Sequence, residues 1–454
     1  MYEPIYHRKH IFWKSAEMNK YVSGLISVLW WIFICANLCF AQKSEEILRK
    51  HALPETLFVE LEIMGKGYKF VSNTGFIKVP FELVSNHIYL KAEVDGSYRL
   101  SFLLDTGARS SYLDFSKADE LKLREVDSKG TKKVGSPDDI SFFQFDSISI
   151  GSIDHYQHGP GFLQKQSLTL FNQTVTGISL SQVERFDGRK LDGILGYDFF
   201  KRFVVEIDYI NHILTIYEPE RFNYTGDGEV FKINLELNIP KIKAVVDGVY
   251  EGIFKIDIGN RNSLDLYAPF VKKHKFSERY PRCLETPIGF GVTGPVEGVV
   301  GRVKSFQLGS FLVKSPLTGF YLNGSPFGSH KIAGRIGAGI LKKFKVIFDY
   351  PHYRMILEKN TNYNLWDRYN TSGLQLIQDG RKILVYQVIK NSPAEKVKIK
   401  INDEILSINQ IPVSNYSMQK IREILSQEEG TEIELRLKRK TKIKKVNLIL
   451  KELI

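Results

Sequence analysis

Cysteine is scarce in this sequence of 454 residues, which contains Cys35, Cys39 and Cys283. The first two lie in an apolar N-terminal stretch that we expect to be removed, so a single thiol would remain. A single thiol excludes an intramolecular disulfide framework. An exported chain without disulfides is more typical of a bacterial periplasm or surface than of a small, disulfide-stapled secreted domain.

Two common catalytic motifs are also absent. The 10 histidines include no HExxH motif and no pair at i, i+4, so no metal site and no cofactor are predicted. We interpret His87, His155 and His158 as surface or loop residues. No GxSxG elbow occurs, which removes the usual signal of a serine hydrolase.

Long amphipathic helical patterns are scarce too, and this favours strands. From Phe58 onward, short β-branched and aromatic runs alternate with Gly, Asn and Asp. Closely spaced short strands of this kind predict an all-β fold of barrels or folded sheets. A hydrophobic content of 43% and a charged content of 25% are close to average, so no large disordered region is expected.

The charge is basic, with a formal net charge of +12 from 63 Lys and Arg against 51 Asp and Glu. The densest basic run, residues 436–445, alternates with apolar residues. We interpret it as the solvent face of a terminal hairpin, because Lys on an edge strand discourages aggregation. A patch for nucleic acid or anionic lipid is the alternative, and we predict no nucleic-acid partner.

The N-terminus carries a targeting pattern. Residues 21–41 are apolar, follow Lys20 and end with the small-x-small pattern Cys39, Phe40, Ala41. This predicts a secretory signal cleaved after Ala41, with Met18 as the true start, and a periplasmic or cell-surface location. The alternative is an uncleaved membrane anchor, since the stretch approaches the ~20 residues that span a bilayer.

The most informative feature is an internal repeat around two Asp-x-Gly triplets. The first is Asp105, Thr106 and Gly107, and the second is Asp257, Ile258 and Gly259. The same spacing pairs Val94 with Val246, Asp95 with Asp247, Gly96 with Gly248, Tyr98 with Tyr250, Phe102 with Phe254, and Arg109 with Arg261. A second block repeats downstream, where residues 191–219 match residues 332–360. Two halves that each present one carboxylate predict one site at a pseudo-twofold interface.

The paired triplets resemble the catalytic loops of pepsin-like and retropepsin-like aspartic proteases. Two carboxylates about 3 Å apart share one proton and can activate water without a metal. The resemblance implies that Asp105 and Asp257 are catalytic and that Thr106, Gly107 and Gly259 line the substrate site. This family also has an apolar-Gly element that threads beside each loop. It is matched by Ile194, Leu195 and Gly196 in the first half and by Arg335, Ile336 and Gly337 in the second. The resemblance to these proteases further implies two six-stranded barrel-like lobes, with a protein or peptide substrate in the cleft between them.

The second half departs from this family pattern. Ile258 removes one loop hydroxyl, Asn260 replaces a small residue, and Arg335 stands where the first half has Ile194. If Arg335 points toward the two carboxylates, it lowers their pKa and disfavours the shared proton. These departures leave two interpretations: the two loops form an asymmetric but working site, or the second lobe has lost its catalytic function.

Tyr112 and Tyr267, which follow the two loops, are interpreted as core residues.

A glycine-rich segment in the second half matches GxGxxG, from Gly289 to Gly294. Pro295 follows it and no strand-to-helix unit surrounds it, so a nucleotide loop is not predicted. We interpret it as a mobile β-hairpin over the cleft, with Gly291 contacting substrate. The equivalent tip in the first half is expected near residues 129–139.

The C-terminal region resembles a PDZ domain. The matched residues are Ser392, Pro393, Ala394, Asp403, Ile405, Leu406, Ile408, Asn409 and Gly430. The resemblance implies a groove that binds a peptide C-terminus as an added strand, with Gly373, Leu374, Gln375 and Leu376 forming the carboxylate loop. Lys398 and Asn402 stand where the family usually has Gly, and Gln375 replaces the loop Gly.

Together these patterns predict an exported aspartic endopeptidase with a PDZ domain for substrate recognition. We expect a signal peptide at 1–41, a lead segment at 42–80, protease lobes at 81–220 and 221–360, and the PDZ domain at 368–452. One alternative is a catalytically inactive, protease-like protein that binds peptides. Another is a homodimeric enzyme that uses Asp105 from two chains.

Overall fold

The computed structural model describes residues 67–126, 141–151, 166–280, 282–291, 294–323 and 331–454. The signal segment, most of the lead segment, the first hairpin tip at 129–139, His155 and His158 lie outside the described residues. Within the described ranges, no helix has the length and apolar character needed to cross a membrane.

The first half is built from short strands that follow its β-branched and aromatic runs. The strands are β1 Tyr68–Val71, β2 Phe76–Pro80, β3 Glu82–Val84, β4 His87–Val94, β5 Leu100–Leu104, β6 Tyr112–Asp114, β7 Arg124–Val126, β8 Ser141–Gly151, β9 Ser167–Ile178, β10 Gly193–Leu195, β11 Val204–Asp208 and β12 Ile213–Tyr217. The helices are α1 Phe115–Glu120, α2 Ser181–Asp187 and α3 Tyr197–Phe200. Residues 219–227, between the two halves, contain no strand.

The second half repeats this plan. Its strands are β13 Glu229–Lys232, β14 Asn234–Glu236, β15 Ile239–Val246, β16 Tyr250–Asp257, β17 Leu264–Leu266, β18 Leu284–Glu285, β19 Gly289–Gly291, β20 Gly294–Val296, β21 Gly298–Arg302, β22 Ser305–Leu308, β23 Phe311–Lys314, β24 Leu317–Tyr321, β25 Ile332–Gly337, β26 Phe344–Asp349 and β27 Arg354–Lys359. Its helices are α4 Ala268–Lys273, α5 Phe276–Arg279 and α6 Ala338–Leu341.

The C-terminal domain has its own sheet and its own apolar core. Its strands are β28 Leu374–Asp379, β29 Lys382–Val388, β30 Glu404–Ile408, β31 Ile411–Pro412, β32 Glu432–Arg439 and β33 Lys442–Ile449, and its helices are α7 Pro393–Lys396 and α8 Met418–Ile424. Lys398 and Asn402 have left-handed φ angles of 58° and 66°. Gly is usual at such positions because only Gly adopts this backbone without steric cost.

Three large sheets and the two-stranded sheet β19–β20 form the two lobes. The first lobe holds nine strands in the order β1-β9-β6-β10-β5-β4-β8-β7, with β3 beside β4. The second holds ten in the order β18-β21-β24-β17-β25-β16-β15-β22-β23, with β14 beside β15. The bilobal all-β architecture is confirmed, and each lobe sheet has more strands than the six expected.

A six-stranded sheet joins the lobes, in the order β13-β27-β26-β11-β12-β2. Its central pair is antiparallel and comes from the two halves, with Val205 of β11 opposite Phe348 of β26. Both residues are fully buried. Because equivalent strands of the repeat meet here, the sheet sets the lobes face to face and brings the two triplets to one seam.

Candidate active site

The two candidate carboxylates meet at the interface between the lobes. Asp105 follows β5, and Asp257 ends β16. A Cβ atom built on Gly107 would lie within 2.8 Å of all three carboxyl atoms of Asp257, and one on Gly259 would lie still closer to the carboxyl of Asp105. Each loop therefore needs Gly at its third position, because any side chain there would displace the opposite carboxylate.

The apolar-Gly strands lie beside the triplets as the sequence predicts. In the first lobe β10 runs parallel to β5, with Leu195 opposite Leu104. In the second lobe β25 runs parallel to β16, with Gly337 opposite Asp257. The Leu195 carbonyl accepts the Asp105 N–H at 3.0 Å. These parallel pairs hold each carboxylate at the end of a buried strand.

Thr106 ties the two loops together. Its buried hydroxyl donates to the Ile256 carbonyl at 3.0 Å and accepts the Ile258 N–H at 3.0 Å. The reciprocal bonds do not form because Ile258 has no hydroxyl, and its side chain packs in the core instead. Of the two matched positions, Thr106 and Ile258, only Thr106 therefore contributes a side-chain hydroxyl to the connection between the loops.

The electrostatics of the pair differ between its two members. Burial and the adjacent charge of Asp257 raise the pKa of Asp105 to about 7, and Asp257 also hydrogen-bonds its carboxyl group. The Gly107 N–H donates to Oδ1 of Asp105 at 2.6 Å and partly offsets this rise. Asp105 therefore holds a proton through the acid and near-neutral range, with its partner in direct contact.

Arg335 points toward the dyad and binds Asp257. Its Nη1 lies 3.2 Å from Oδ2 of Asp257, its Nε lies 2.7 Å from Oδ2 of Asp265, and its Nη2 donates to the Tyr321 hydroxyl at 3.1 Å. Asn260 donates to the same Asp265 oxygen at 3.0 Å. The two departures from the family pattern, Arg335 and Asn260, thus meet at Asp265 in one network that places a cation beside Asp257.

His87 contradicts our interpretation of it as a surface or loop residue. It begins β4 and is 7% exposed, with Nδ1 2.6 Å from Oδ2 of Asp187 and Nε2 2.9 Å from the Gly259 carbonyl. The Tyr89 hydroxyl donates to the same Asp187 oxygen at 2.5 Å. The prediction was wrong because the partners of His87 are distant in sequence. Its one local signal was its place at the start of an apolar run.

Tyr267 is confirmed as a core residue, since it is 1% exposed and its ring centroid lies 5.1 Å from that of Tyr321. Tyr112 is half-buried and packs against the apolar cluster around Leu103 and Ile194.

The predicted hairpin of the second half is formed by β19 and β20, with Gly291 opposite Gly294. A Cβ on Gly291 would meet no atom within 4 Å, so this position faces open space. Strand β19 contacts helix α2 of the first lobe, which places the hairpin across the seam between the lobes.

The carboxylate-loop residues Gly373, Leu374, Gln375 and Leu376 lie in the C-terminal domain and are not brought to the dyad. The N–H groups of Ser372 and Gly373 donate to Oδ1 of Asn370 at 3.0 and 3.1 Å. The Leu374 N–H donates to the Ser372 hydroxyl at 3.1 Å. The backbone N–H groups of Gly373 and Leu374 are therefore already paired within the domain, whereas the side-chain amide of Gln375 donates to the Thr286 hydroxyl in the second lobe.

A cavity of about 700 Å³ lies where both lobes, the segment between β27 and β28, and the C-terminal domain meet. Arg261, Lys342, Arg368 and Arg422 make its lining basic. Neither Asp105 nor Asp257 lines it, so this cavity is separate from the carboxylate pair. Among the described residues, no group of His, Cys, Asp and Glu side chains could hold a metal ion.

Two family models match the sequence. An aspartyl protease model matches residues 90–199, which contain Asp105 and the first apolar-Gly strand, and a PDZ domain model matches residues 371–450. The chain combines an aspartyl protease domain with a PDZ domain. The protease match ends before Asp257, so the pairing of Asp105 with Asp257 rests on the geometry above.

Solved structures of low identity are also similar to this chain. A basic 7S globulin from soybean is 8% identical, with 64% of this chain and 97% of that chain covered and a TM-score of 0.39. An aspartic proteinase from Irpex lacteus is 13% identical, with 64% and 99% covered and a TM-score of 0.39. A photosystem II D1 C-terminal processing protease is 18% identical, with 20% and 26% covered and a TM-score of 0.18. No curated protein matches the sequence.

Proposed function

We propose that this protein is an aspartic endopeptidase whose catalytic pair is Asp105 and Asp257. The observation that carries the proposal is the contact between the two carboxyl groups across Gly107 and Gly259, with the pKa of Asp105 raised to about 7 by burial and by Asp257. A carboxyl pair that holds one proton supplies both an acid and a base to one bound water.

The asymmetric charges assign the two roles. Asp257, paired with Arg335 at 3.2 Å, is the base that takes a proton from water. The water oxygen attacks the peptide carbonyl carbon while Asp105 gives its proton to the carbonyl oxygen. The tetrahedral intermediate then collapses: Asp257 gives the proton that it took from water to the amide nitrogen, Asp105 takes a proton from a hydroxyl of the intermediate, and the C–N bond breaks. The new carboxyl and amine are released and the pair is back in its starting state.

The substrate in this proposal is an extended peptide in the cleft between the lobes. Thr106, Gly107 and Gly259 form the floor beside the carboxylates, and Gly291 lies in the hairpin across the seam. A hairpin in this place excludes water from the bound peptide and aligns the scissile bond with the dyad.

Variants of the two carboxylates test the proposal. Asp105→Asn and Asp257→Asn should each abolish cleavage of denatured casein between about pH 3 and about pH 8. The wild type should be inhibited by a peptide that carries a hydroxyl-bearing transition-state group at the scissile position. Asp208→Asn, on the shared sheet, is the matched control for loss of an Asp charge outside the cleft. Full activity in both dyad variants would refute the proposal.

An inactive peptide-binding protein is the second candidate, because Arg335 neutralises Asp257 and Ile258 removes half of the loop-to-loop bonds. This function predicts that the peptide inhibitor binds while no substrate is turned over at any pH. Turnover that is lost in Asp257→Asn would exclude it.

Peptide recognition by the PDZ domain is a further part of the proposal, supported by the domain type. Because strand β28 packs against helix α2, an added peptide strand would compete with this helix. Binding of carboxyl-terminal peptides, measured with and without a blocked C-terminus, tests this role.

Export is proposed from the apolar segment 21–41, with membrane association through an uncleaved segment as the alternative. N-terminal sequencing of the protein from expressing cells separates the two: a mature chain that begins at Gln42 supports cleavage, and a retained segment supports anchoring.

A further inference from the structure

The peptide-binding edge of the PDZ domain faces the first protease lobe. β28 is the edge strand of its sheet, and it contacts helix α2. A Cβ built on Gly188, directly after α2, would collide with Cβ of Met418 on α8 and lie 2.9 Å from Oε1 of Gln378 on β28. The end of α2 therefore occupies the groove between β28 and α8, which is where an added peptide strand would lie.

Arg422 of helix α8 fixes this contact. Its Nη1 donates to the Ser85 hydroxyl at 3.0 Å, and its Nη2 donates to the Phe186 carbonyl. Its guanidinium lies 5.0 Å from the Phe186 ring centroid, and the guanidinium of Arg261 lies 3.8 Å from the same centroid. Two cations thus hold the last turn of α2 through the carbonyl and the ring of Phe186.

The next residue of α2 supports the second catalytic loop. Burial would raise the pKa of Asp187, but His87 and Arg261 lower it to about 2, so Asp187 is ionised and accepts hydrogen bonds. The Gly259 carbonyl also only accepts. The buried ring of His87 lies between these two groups and joins Asp187 to the loop of Asp257.

These contacts form one continuous path from the PDZ domain to the dyad. Arg422 binds Phe186, the adjacent Asp187 binds His87, and His87 binds the carbonyl of Gly259. Gly259 faces the carboxyl of Asp105, so a small shift of its loop changes the spacing of the two carboxylates. Misplacement by about 1 Å at a catalytic group can cost about a hundredfold in rate.

We propose that His87 is a positioning residue for the Asp257 loop and that the PDZ domain, through Arg422 and helix α2, acts as a clamp that keeps His87 in place. The proposal rests on the proposed proteolytic function. It assigns the PDZ groove an intramolecular partner, the segment from Phe186 to Gly188.

Two substitutions loosen the clamp without touching the dyad or His87. Arg422→Ala removes the bonds to Ser85 and Phe186. Gly188→Asn introduces a residue type that tolerates the φ of 67° at this position. Its side chain, however, would be forced between Met418 and Gln378. The matched control is Gly380→Asn in the β28–β29 turn, where φ is 59° and a Cβ meets no atom within 4 Å. The control separates backbone strain from loss of the domain contact.

We expect Arg422→Ala and Gly188→Asn to lower kcat about tenfold with KM within about twofold, and Gly380→Asn to behave as the wild type. His87→Ala should lower kcat about a hundredfold, and His87→Gln should recover part of this loss because its amide N–H can still donate to the Gly259 carbonyl. A merely structural role would instead lower thermal stability and leave kcat per folded molecule unchanged.

Amide hydrogen exchange at residues 257–260 provides a readout that does not need catalysis. Exchange there should accelerate in Arg422→Ala and Gly188→Asn and stay unchanged in Gly380→Asn. If the wild type cleaves nothing but exchange responds in this way, the proteolytic function fails and the clamp stands. Wild-type kcat together with unchanged exchange in both clamp variants would overturn the clamp.

Discussion

At the scale of single residues, the decisive property of this protein is the unequal chemistry of two matched aspartates. The raised pKa of Asp105 follows from burial first and from the Asp257 charge second. Asp257 has an ion-pair partner, Arg335, whereas the first half has Ile194 at the equivalent position. The repeat therefore supplies two similar loops, and their surroundings raise the pKa of the Asp105 carboxyl and place a cation beside Asp257.

The raised pKa of Asp105 predicts a pH-dependent stability. The folded state binds this proton more tightly than the unfolded chain, whose Asp pKa is about 3.9, so the stabilisation is complete below about pH 4 and is lost as pH rises through about 7. Asn mimics the protonated acid at every pH. Asp105→Asn should therefore match the wild-type Tm at about pH 4 and exceed it by several degrees at about pH 8, as measured by calorimetry.

The Tm difference between Asp208→Asn and the wild type should change with pH in the opposite direction. Burial would raise the pKa of Asp208, but hydrogen bonds from Asn211 and Ile210 lower it. Its charged form is therefore the stabilising one, and the variant should lose Tm at about pH 8. An Asp105→Asn protein that is equally destabilised at both pH values would contradict the assignment of a raised pKa.

At the scale of elements, the loop-to-loop connection depends on one hydroxyl. Thr106→Val keeps the shape of the side chain but leaves the Ile258 N–H and the Ile256 carbonyl unpaired inside the protein. We expect it to lower the free energy of unfolding by about 1–3 kcal/mol and to reduce kcat. Thr106→Ser keeps the hydroxyl and is the control in urea unfolding. Equal stability of the Val and Ser variants would show that these bonds contribute nothing.

In the PDZ domain, Lys398 and Asn402 are among the non-Gly residues that adopt a left-handed backbone. Lys398→Gly should raise the free energy of unfolding by about 0.5–1 kcal/mol, because it relieves a steric cost that exceeds the added chain entropy. Asn402→Gly should gain less, since Asn tolerates this conformation. Lys396→Gly, within α7, should lose about 1 kcal/mol. Thermal unfolding of the three variants checks this order.

At the scale of the whole molecule, the shared six-stranded sheet couples the two lobes. Ile207 of β11 is fully buried and lies opposite Val346 of β26, so it belongs to the core of both halves. Ile207→Ala should lower the free energy of unfolding by about 2–5 kcal/mol. Hydrogen exchange should accelerate in β5 of one lobe and in β16 of the other.

The matched control is Leu435→Ala, because Leu435 is fully buried in the separate core of the PDZ domain. Its effect on exchange should begin in β28 to β33. If Ile207→Ala accelerates exchange in one lobe alone, the lobes unfold independently and the shared sheet does not couple them.

The sequence by itself determined the duplication, the two aspartates, the Thr106 hydroxyl, the apolar-Gly strands and the two domain types. These features are encoded locally, by residues that act within one loop or one strand and recur at a fixed spacing. Lys398 and Asn402 were also recognisable as positions where Gly is usual, and the structure gives both a left-handed backbone.

Only the tertiary structure decided which distant residues meet. It placed Arg335 on Asp257 and Asp265, buried His87 against Asp187 and Gly259, and set the PDZ groove against helix α2. No periodicity or motif encodes such contacts, because they join strands and domains that are far apart in the chain. They arise when the shared sheet and the apolar cores fix the lobes and the PDZ domain in space.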